Sequence, residues 1–207
     1  MMYLGGLCFI TDRKVSGLSY EDMTRKVLRK GVQWIQFRDK ETSRRYIYQN
    51  AIRLRRLTKD YNAIFIINDF PDIAMCTCAD GVHLGQDDLP LKEARKIMGR
   101  DRIIGISTHS LEQAAEAERD GADYIGFGPV FATLTKDAGR PKGIAMLREI
   151  RKQVHIPVVA IGGISLENIG SVLQTGIDAV ALASAILGGD IEENAKRFMD
   201  HLRDKSS

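Results

Sequence analysis

The sequence is poor in the features that mark secreted and redox proteins. It contains three cysteines, an odd number, and none of them belongs to a C-x-x-C pair. Because no secretory signal pattern accompanies them, we expect reduced thiols in a cytoplasmic protein. Cys76 and Cys78 form a C-x-C pattern, which we interpret as small buried residues near the end of a helix.

Long apolar runs and blocks of like charge are also lacking. An apolar stretch at residues 4–10 is interrupted by glycine and is far too short to cross a bilayer. The 30 basic residues are interspersed with 27 acidic ones, which gives a formal net charge of +3. We therefore expect neither a membrane nor a nucleic-acid partner. The oligomeric state stays open, and a homo-oligomer is compatible with the sequence.

No proline-rich, serine-rich or low-complexity stretch divides the chain, and apolar segments alternate with helical ones. Predicted strands rich in Val, Ile and Phe cover 7–11, 32–37, 63–68, 81–85, 102–107, 123–128, 157–162 and 178–183. Predicted helices cover about 20–30, 43–59, 71–78, 91–98, 110–119, 143–153, 165–175 and 191–204. Ser110 and Ser165 are expected to begin helices, and Gly31, Gly121 and Gly176 to end them.

This alternation predicts the fold class. Strict βα repetition indicates a parallel sheet with right-handed crossovers. Eight units in about 200 residues favour a single-domain (β/α)₈ TIM barrel spanning residues 1–207. The alternative is a doubly wound open sheet, which expects a glycine fingerprint after the first strand. This chain has Thr11-Asp-Arg-Lys there. In a barrel, the functional residues follow the carboxyl ends of the strands.

Two glycine-rich or small-residue stretches follow the last two strands. They are Gly162-Gly163-Ile164 and Ala183-Ser184-Ala-Ile. Glycines let backbone N–H groups approach an anion, and barrels often bind phosphate with these two loops. We interpret the pair as a phosphate site; the alternative is that the two glycines merely form a tight turn.

Two aspartates follow the third and fourth strands. Asp69 and Asp88, with neighbouring amides at Asn68 and Gln86, would suit a hard cation such as Mg²⁺. The equally plausible alternative is that both aspartates are helix N-caps. Asp87 is an alternative ligand.

The end of the second strand is crowded with polar groups. Gln36, Arg38 and Lys40 share one face because strand side chains alternate. Two cations at such a short separation would repel each other, so we expect an anion between them. Lys136 would reach the same region from the sixth loop, and a polyphosphate carried by Mg²⁺ would fit all three cations. His109 is a candidate base, although a hydrogen-bonded structural role is the more plausible one. His83 is expected inside the barrel.

Together these strand-end motifs resemble the thiamine phosphate synthase family, and the ordered series covers nearly the whole chain. The matching stretches are Gln36-x-Arg38-x-Lys40, Asn68-Asp69, Ala79-Asp-Gly-x-His83-x-Gly-Gln-x-Asp88, Gly105-x-Ser107-x-His109, Thr133-x-Thr135-Lys136, Ile161-Gly-Gly-Ile164 and Ser184-Ala-Ile186. The resemblance implies a transferase that joins 4-amino-5-hydroxymethyl-2-methylpyrimidine diphosphate to a thiazole phosphate. Its products would be thiamine phosphate and pyrophosphate.

The resemblance also assigns roles to residues. The pyrimidine diphosphate would be held by Gln36, Arg38, Lys40, Asn68 and Lys136, with Ser107 near the reacting pyrimidine. The thiazole phosphate would contact Thr133, Thr135, Gly163, Ala183 and Ser184. Asp69 and Asp88 would bind Mg²⁺. The residues expected to act in catalysis are Arg38, Lys40, Ser107 and Lys136.

The implied mechanism is dissociative and needs no side-chain nucleophile. Pyrophosphate leaves first, the aminopyrimidine stabilises the resulting cation, and the thiazole nitrogen attacks it. One departure from the family is Ala132, where the family usually has proline. Two other functions stay open: a related thiazole tautomerase that would use His109 as its acid–base group, and a non-catalytic barrel that senses phosphate ligands.

Overall fold

Eight parallel strands close into a barrel in the computed structural model, which describes residues 4–133 and 139–203. Each strand pairs with its neighbours in sequence, and the first also pairs with the last, in the register Gly6↔Ala179 to Phe9↔Leu182. The prediction of a (β/α)₈ barrel is confirmed, and the open sheet is excluded. The strands are β1 Gly6–Ile10, β2 Trp34–Phe37, β3 Ile64–Asn68, β4 Gly81–Leu84, β5 Ile103–Thr108, β6 Tyr124–Phe127, β7 Val158–Ile161 and β8 Ala179–Leu182.

Helices surround the barrel. They are α1 Arg13–Ser16, α2 Tyr20–Arg29, α3 Arg44–Asp60, α4 Pro71–Cys76, α5 Leu91–Met98, α6 Leu111–Arg119, α7 Gly143–Gln153, α8 Ile169–Leu173, α9 Ser184–Leu187 and α10 Ile191–Arg203. Ser110 caps α6 as predicted, by accepting the Gln113 N–H. Ser165 does not begin a helix: its hydroxyl bonds to Glu167, and α8 starts later.

Side chains on successive strand positions separate into two cores. The barrel interior holds Cys8, Ile10, Trp34, Ile64, Ile66, Tyr124, Val159, Ala179 and Ala181. Residues between these positions, such as Phe9, Ile35 and Phe65, are fully buried beneath the helices. The alternation continues to the strand ends, so Gln36 and Asn68 follow Trp34 and Ile66 on the inner face.

Three aspartates stabilise the amino-terminal end of the barrel in the same way. Each lies just before an even-numbered strand and accepts the N–H of a residue in the preceding strand. Asp80 accepts the Phe65 N–H, Asp123 the Ile104 N–H and Asp178 the Val158 N–H. Each aspartate also forms an ion pair with an arginine, in the pairs Arg55–Asp80, Arg95–Asp123 and Arg151–Asp178. The Arg55–Asp80 pair is bidentate at 2.8 and 2.9 Å. These contacts lie at the end of the barrel that serves stability rather than chemistry.

The cysteine prediction is partly wrong. Cys8 is buried inside the barrel, whereas Cys76 and Cys78 are exposed. Cys76 ends α4 and Cys78 adopts a left-handed conformation with φ 53° as the chain turns toward β4, so neither side chain enters a core. Among the described residues, no helix has the length and apolarity needed to span a bilayer.

Candidate active site

A chain of hydrogen bonds links the ends of β2 and β3 at the carboxyl-terminal mouth of the barrel. The buried Gln36 amide donates from Nε2 to Asn68 Oδ1 over 3.1 Å. Asn68 Nδ2 in turn donates to Asp69 Oδ1 over 2.5 Å. Lys40 Nζ lies 3.2 Å from the other oxygen, Asp69 Oδ2. Four of the predicted site residues are therefore joined in one network by adjacent strands.

The two predicted metal ligands are not helix N-caps. The residue before α4 is Phe70, the residue before α5 is Pro90, and neither helix has a side-chain cap. Asp69 instead occupies a left-handed conformation with φ 68°, which is uncommon for a residue with a side chain. Asp88 accepts the Gly85 N–H over 2.6 Å. The N-cap alternative is therefore wrong for both residues.

The electrostatics of Asp69 depend on Asp88. Burial raises the pKa of Asp69 to about 6, with a further increase from the hydrogen bond and charge of Asp88. Lys40 opposes this increase. The result is a pair of neighbouring carboxylates that a cation would stabilise. Within residues 4–133 and 139–203, no cluster of three or more His, Cys, Asp or Glu side chains forms a metal site. Any ion here would have few protein ligands.

A broad cleft of about 1190 Å³ opens beside this network. Residues from five different loops meet there, among them Arg13, Lys14, Arg38, Lys40, Thr133, Gly163 and Ser184. Among the described residues, no carboxylate lies within 4 Å of the half-buried Arg38 guanidinium. The cleft thus contains a cation that lacks a counter-ion in the described part of the chain.

Backbone groups form the opposite side of the cleft. Gly162 and Gly163 have φ values of 96° and 65°, which favour glycine. A Cβ on Gly163 would lie 2.4 Å from the Ala132 carbonyl oxygen, so the loop has no room for a side chain. Ala183 precedes α9, and Ser184 opens its first turn, where amides lack helical acceptors. The predicted residues Thr135 and Lys136 lie outside the described residues.

Inside the mouth, Ser107 belongs to a chain of hydrogen bonds that the sequence did not reveal. His83 Nε2 lies 2.8 Å from Ser107 Oγ, and its Nδ1 lies 2.9 Å from the Tyr124 hydroxyl. Burial lowers the pKa of His83 to about 4. The second nitrogen faces a phenol rather than a carboxylate, so His83 is a weak base for Ser107. This serine–histidine pair is not a nucleophilic dyad.

The remaining candidate base, His109, is held by backbone. Its Nδ1 donates to the Gly128 carbonyl over 2.7 Å, because a carbonyl can only accept. His109 does not line the cleft. Of the other described site residues that were predicted, Gln36, Asn68, Asp69, Asp88, Ser107 and Ala183 are also not part of its lining, whereas Arg38, Lys40, Thr133, Gly163 and Ser184 are.

One side of the cleft, formed by α1 and the turn before it, was not predicted from the sequence. Asp12 caps α1 by accepting the Lys14 N–H, and Arg13 and Lys14 face the cleft. The usable signal was the position of Asp12 and Arg13 directly after the first strand, since residues at strand ends form the site in this fold.

Comparisons with known proteins point to a single family. A family model described as thiamine monophosphate synthase matches residues 7–186. The thiamine-phosphate synthase of Clostridium acetobutylicum is 42% identical over 205 residues, covering 97% of this chain and 96% of the relative. That of Halalkalibacterium halodurans is 51% identical over 161 residues, covering 77% and 76%.

One solved structure is similar over nearly the whole chain. The thiamine phosphate pyrophosphorylase from Pyrococcus furiosus is 41% identical, with a TM-score of 0.89 and coverage of 97% of this chain and 96% of that one. The resemblance inferred from the strand-end motifs is thereby confirmed. The chain belongs to the thiamine monophosphate synthase family and is an enzyme of the transferase class.

Proposed function

We propose that this enzyme joins 4-amino-5-hydroxymethyl-2-methylpyrimidine diphosphate to 4-methyl-5-(2-phosphooxyethyl)thiazole, forming thiamine phosphate and pyrophosphate. One observation carries the proposal: two cations and two carboxylates, Arg38, Lys40, Asp69 and Asp88, meet at one barrel mouth. Arg38 has no carboxylate within 4 Å among the described residues, and Lys40 pairs with only one of the two carboxylates, so a metal–diphosphate would complement both groups. A phosphate monoester alone would leave the carboxylate pair unbalanced.

The carboxylate pair fits Mg²⁺. This ion is commonly bound through one or two carboxylates together with waters and substrate phosphates, rather than by a complete protein cage. Asp69 and Asp88 would hold it, and a cation would stabilise the ionised form of Asp69, whose pKa is raised first by burial and further by Asp88. When bound, Mg²⁺ supplies neutralisation of charge on the diphosphate oxygens.

The chain's own cations support departure of pyrophosphate. Arg38 presents a planar fork of donors that matches phosphate oxygens, and Lys40 adds a point charge. Lys136 is proposed to act on the same leaving group from the sixth loop. Their contribution increases as negative charge develops on the departing oxygen, so it lowers the barrier to bond breaking.

The proposed reaction is dissociative: the bond between the pyrimidine methylene carbon and oxygen breaks first, its electron pair leaves with pyrophosphate, and the thiazole nitrogen then attacks the methylene. The weak basicity of His83 supports a route without a serine nucleophile. Ser107, Gln36 and Asn68 are proposed to contact the pyrimidine. This assignment rests on their position on the inner face at the barrel mouth.

The glycine side of the cleft is proposed to bind the phosphate of the thiazole substrate. The Gly163 backbone has no room for a side chain, and Ser184 begins a helix whose first amides lack acceptors. Ala183, Thr133 and Thr135 would complete this site. Two separate anion sites facing one cleft suit a reaction between two phosphorylated substrates.

Turnover with both heterocycles tests the proposal. Purified enzyme incubated with both substrates and Mg²⁺ should form thiamine phosphate, and excess EDTA should stop the reaction. Isomerisation of the thiazole phosphate without coupling would instead identify a tautomerase. Tight binding of thiamine phosphate without any turnover would identify a phosphate-sensing barrel.

A further inference from the structure

An aspartate lies between the two cations that follow β2. Arg38 is half-buried and Lys40 is exposed, yet Asp39, between them, is only 6% exposed. Asp39 is among the residues that line the cleft, but its carboxylate is hydrogen-bonded to the turn that follows it. The question is why a site for an anionic substrate contains a buried negative charge at its centre.

Hydrogen bonds from the following turn answer part of this question. Asp39 Oδ1 accepts the backbone N–H groups of Glu41 and Thr42 over 3.0 and 3.1 Å. Asp39 Oδ2 accepts the Thr42 hydroxyl over 2.7 Å. Tyr20, from the start of α2, interacts with the same carboxylate and contributes to lowering its pKa. Burial alone would raise the pKa of Asp39, but these hydrogen bonds together lower it.

These contacts occupy most of the carboxylate. An ionised carboxylate has about four acceptor positions, and the Glu41 N–H, the Thr42 N–H and the Thr42 hydroxyl occupy three of them. All three hydrogen bonds come from the turn at residues 39–42, so they fix the path of its backbone.

The other end of the same loop is fixed by Thr11. The buried Thr11 hydroxyl accepts the Arg38 N–H over 3.0 Å and donates to the Arg38 carbonyl over 3.2 Å. Both backbone groups of Arg38 are thus held by one side chain from the end of β1. Between them, Thr11 and Asp39 fix the path of the chain on both sides of the two cations.

We propose that Asp39 is a positioning residue that sets the geometry with which Arg38 and Lys40 hold the diphosphate. This inference rests on the proposed function. It assigns to Asp39 no contact with the substrate; its effect passes through the 39–42 turn. Displacement of catalytic groups by about 1 Å can lower the rate roughly 10²-fold. A substitution at a residue that does not contact the substrate can therefore still slow the reaction.

Two substitutions separate the geometry of the turn from its charge. Asp39→Ala removes every side-chain hydrogen bond of the turn. Asp39→Asn keeps an oxygen that can accept both backbone N–H groups, and its amide can donate to the Thr42 hydroxyl. If Asp39 acts by positioning, the asparagine variant should keep most of the activity and pyrophosphate affinity that the alanine variant loses.

Asp190 offers a matched control. Its Oδ1 accepts the backbone N–H groups of Glu192 and Glu193 over 2.9 and 3.1 Å, the same spacing as at Asp39, but at the exposed start of α10. Asp190→Ala therefore removes the equivalent pair of hydrogen bonds from a turn that contains no residue of the cleft. It should lower thermal stability without changing either KM.

The experiment measures kcat, the KM of each substrate, the melting temperature and the Kd of pyrophosphate in Mg²⁺ for all four proteins. For Asp39→Ala we expect kcat/KM for the pyrimidine diphosphate to fall about 10²-fold and the pyrophosphate Kd to rise at least about tenfold. The KM of the thiazole phosphate should stay within about twofold, because its proposed site lies on other loops. Asp39→Asn should recover most of both losses.

Three results would overturn the inference. They are an unchanged pyrophosphate Kd in Asp39→Ala, equal weakening of both substrates, or an asparagine variant as impaired as the alanine one. Wild-type enzyme that binds magnesium pyrophosphate but never couples the heterocycles would refute the proposed reaction instead. In that case the Kd comparison would still decide the role of Asp39.

Discussion

Replacing Asp69 with asparagine should stabilise the metal-free enzyme at alkaline pH. It should also abolish the rise in melting temperature that magnesium with pyrophosphate causes in the wild type. Burial and the neighbouring Asp88 raise the pKa of Asp69 to about 6 in the folded protein, despite the opposing charge of Lys40. In an unfolded chain an aspartate has a pKa of about 3.9. The folded protein therefore holds this proton more tightly, and ionisation of Asp69 lowers the free energy of unfolding as the pH rises through about 6.

The size of the effect follows from the two pKa values. A difference of about two units corresponds to at most ~3 kcal/mol above pH 6. Asparagine loses the 3.2 Å contact between Lys40 and Asp69, which offsets part of the gain. A net stabilisation of ~1–2 kcal/mol would raise the melting temperature by roughly 2–8 °C for a chain of this size.

Thermal melts of both proteins in EDTA provide the assay, at about pH 4.5 and about pH 8. The variant should melt above wild type at the higher pH and near it at the lower one. Magnesium with pyrophosphate should raise the melting temperature of wild type but not of the variant. Asp101→Asn makes the same charge change at an exposed position and should show neither effect. A variant less stable than wild type at the higher pH in EDTA would refute the reasoning.

Three further predictions concern the metal, the fold and the leaving group. Excess EDTA should abolish coupling and leave the circular dichroism spectrum unchanged, and full activity in EDTA would count against the metal site. Asp80→Ala leaves the Arg55 charge uncompensated, so urea melts should show a loss of ~3 kcal/mol, with both KM values unchanged. Lys136→Ala should lower kcat by roughly 10²–10³ with a smaller change in KM, whereas His109→Ala should have a modest effect. The reverse ranking would favour a tautomerase.

The barrel and the position of its site were predictable because they follow from local patterns. Buried parallel strands need apolar runs, and crossovers need helices, so the alternation alone indicates the fold. The polar residues Gln36, Asn68 and Ser107 stand out because they interrupt those runs at strand ends. The four-residue helices α1 and α9 were missed, because so short a segment carries no helical periodicity.

The contacts between side chains were not predictable, because they depend on strand register. Gln36 pairs in register with Ile66, which places its amide within reach of Asn68, two residues further along β3. His83 lies opposite Gly105, and its ring meets Ser107 on one side and Tyr124 on the other. No spacing within the sequence encodes these distances. The same holds for Asp39, whose burial becomes evident only once Tyr20 is seen to pack beside it.

The central claim is that one cleft holds two phosphorylated substrates on opposite sides, and paired substrate kinetics test it most directly. Arg38→Ala should raise the KM of the pyrimidine diphosphate and leave that of the thiazole phosphate unchanged. Gly163→Ala forces a Cβ against the Ala132 carbonyl oxygen and should do the reverse. Circular dichroism should show that both variants remain folded. Equal losses for both substrates in both variants would contradict the claim.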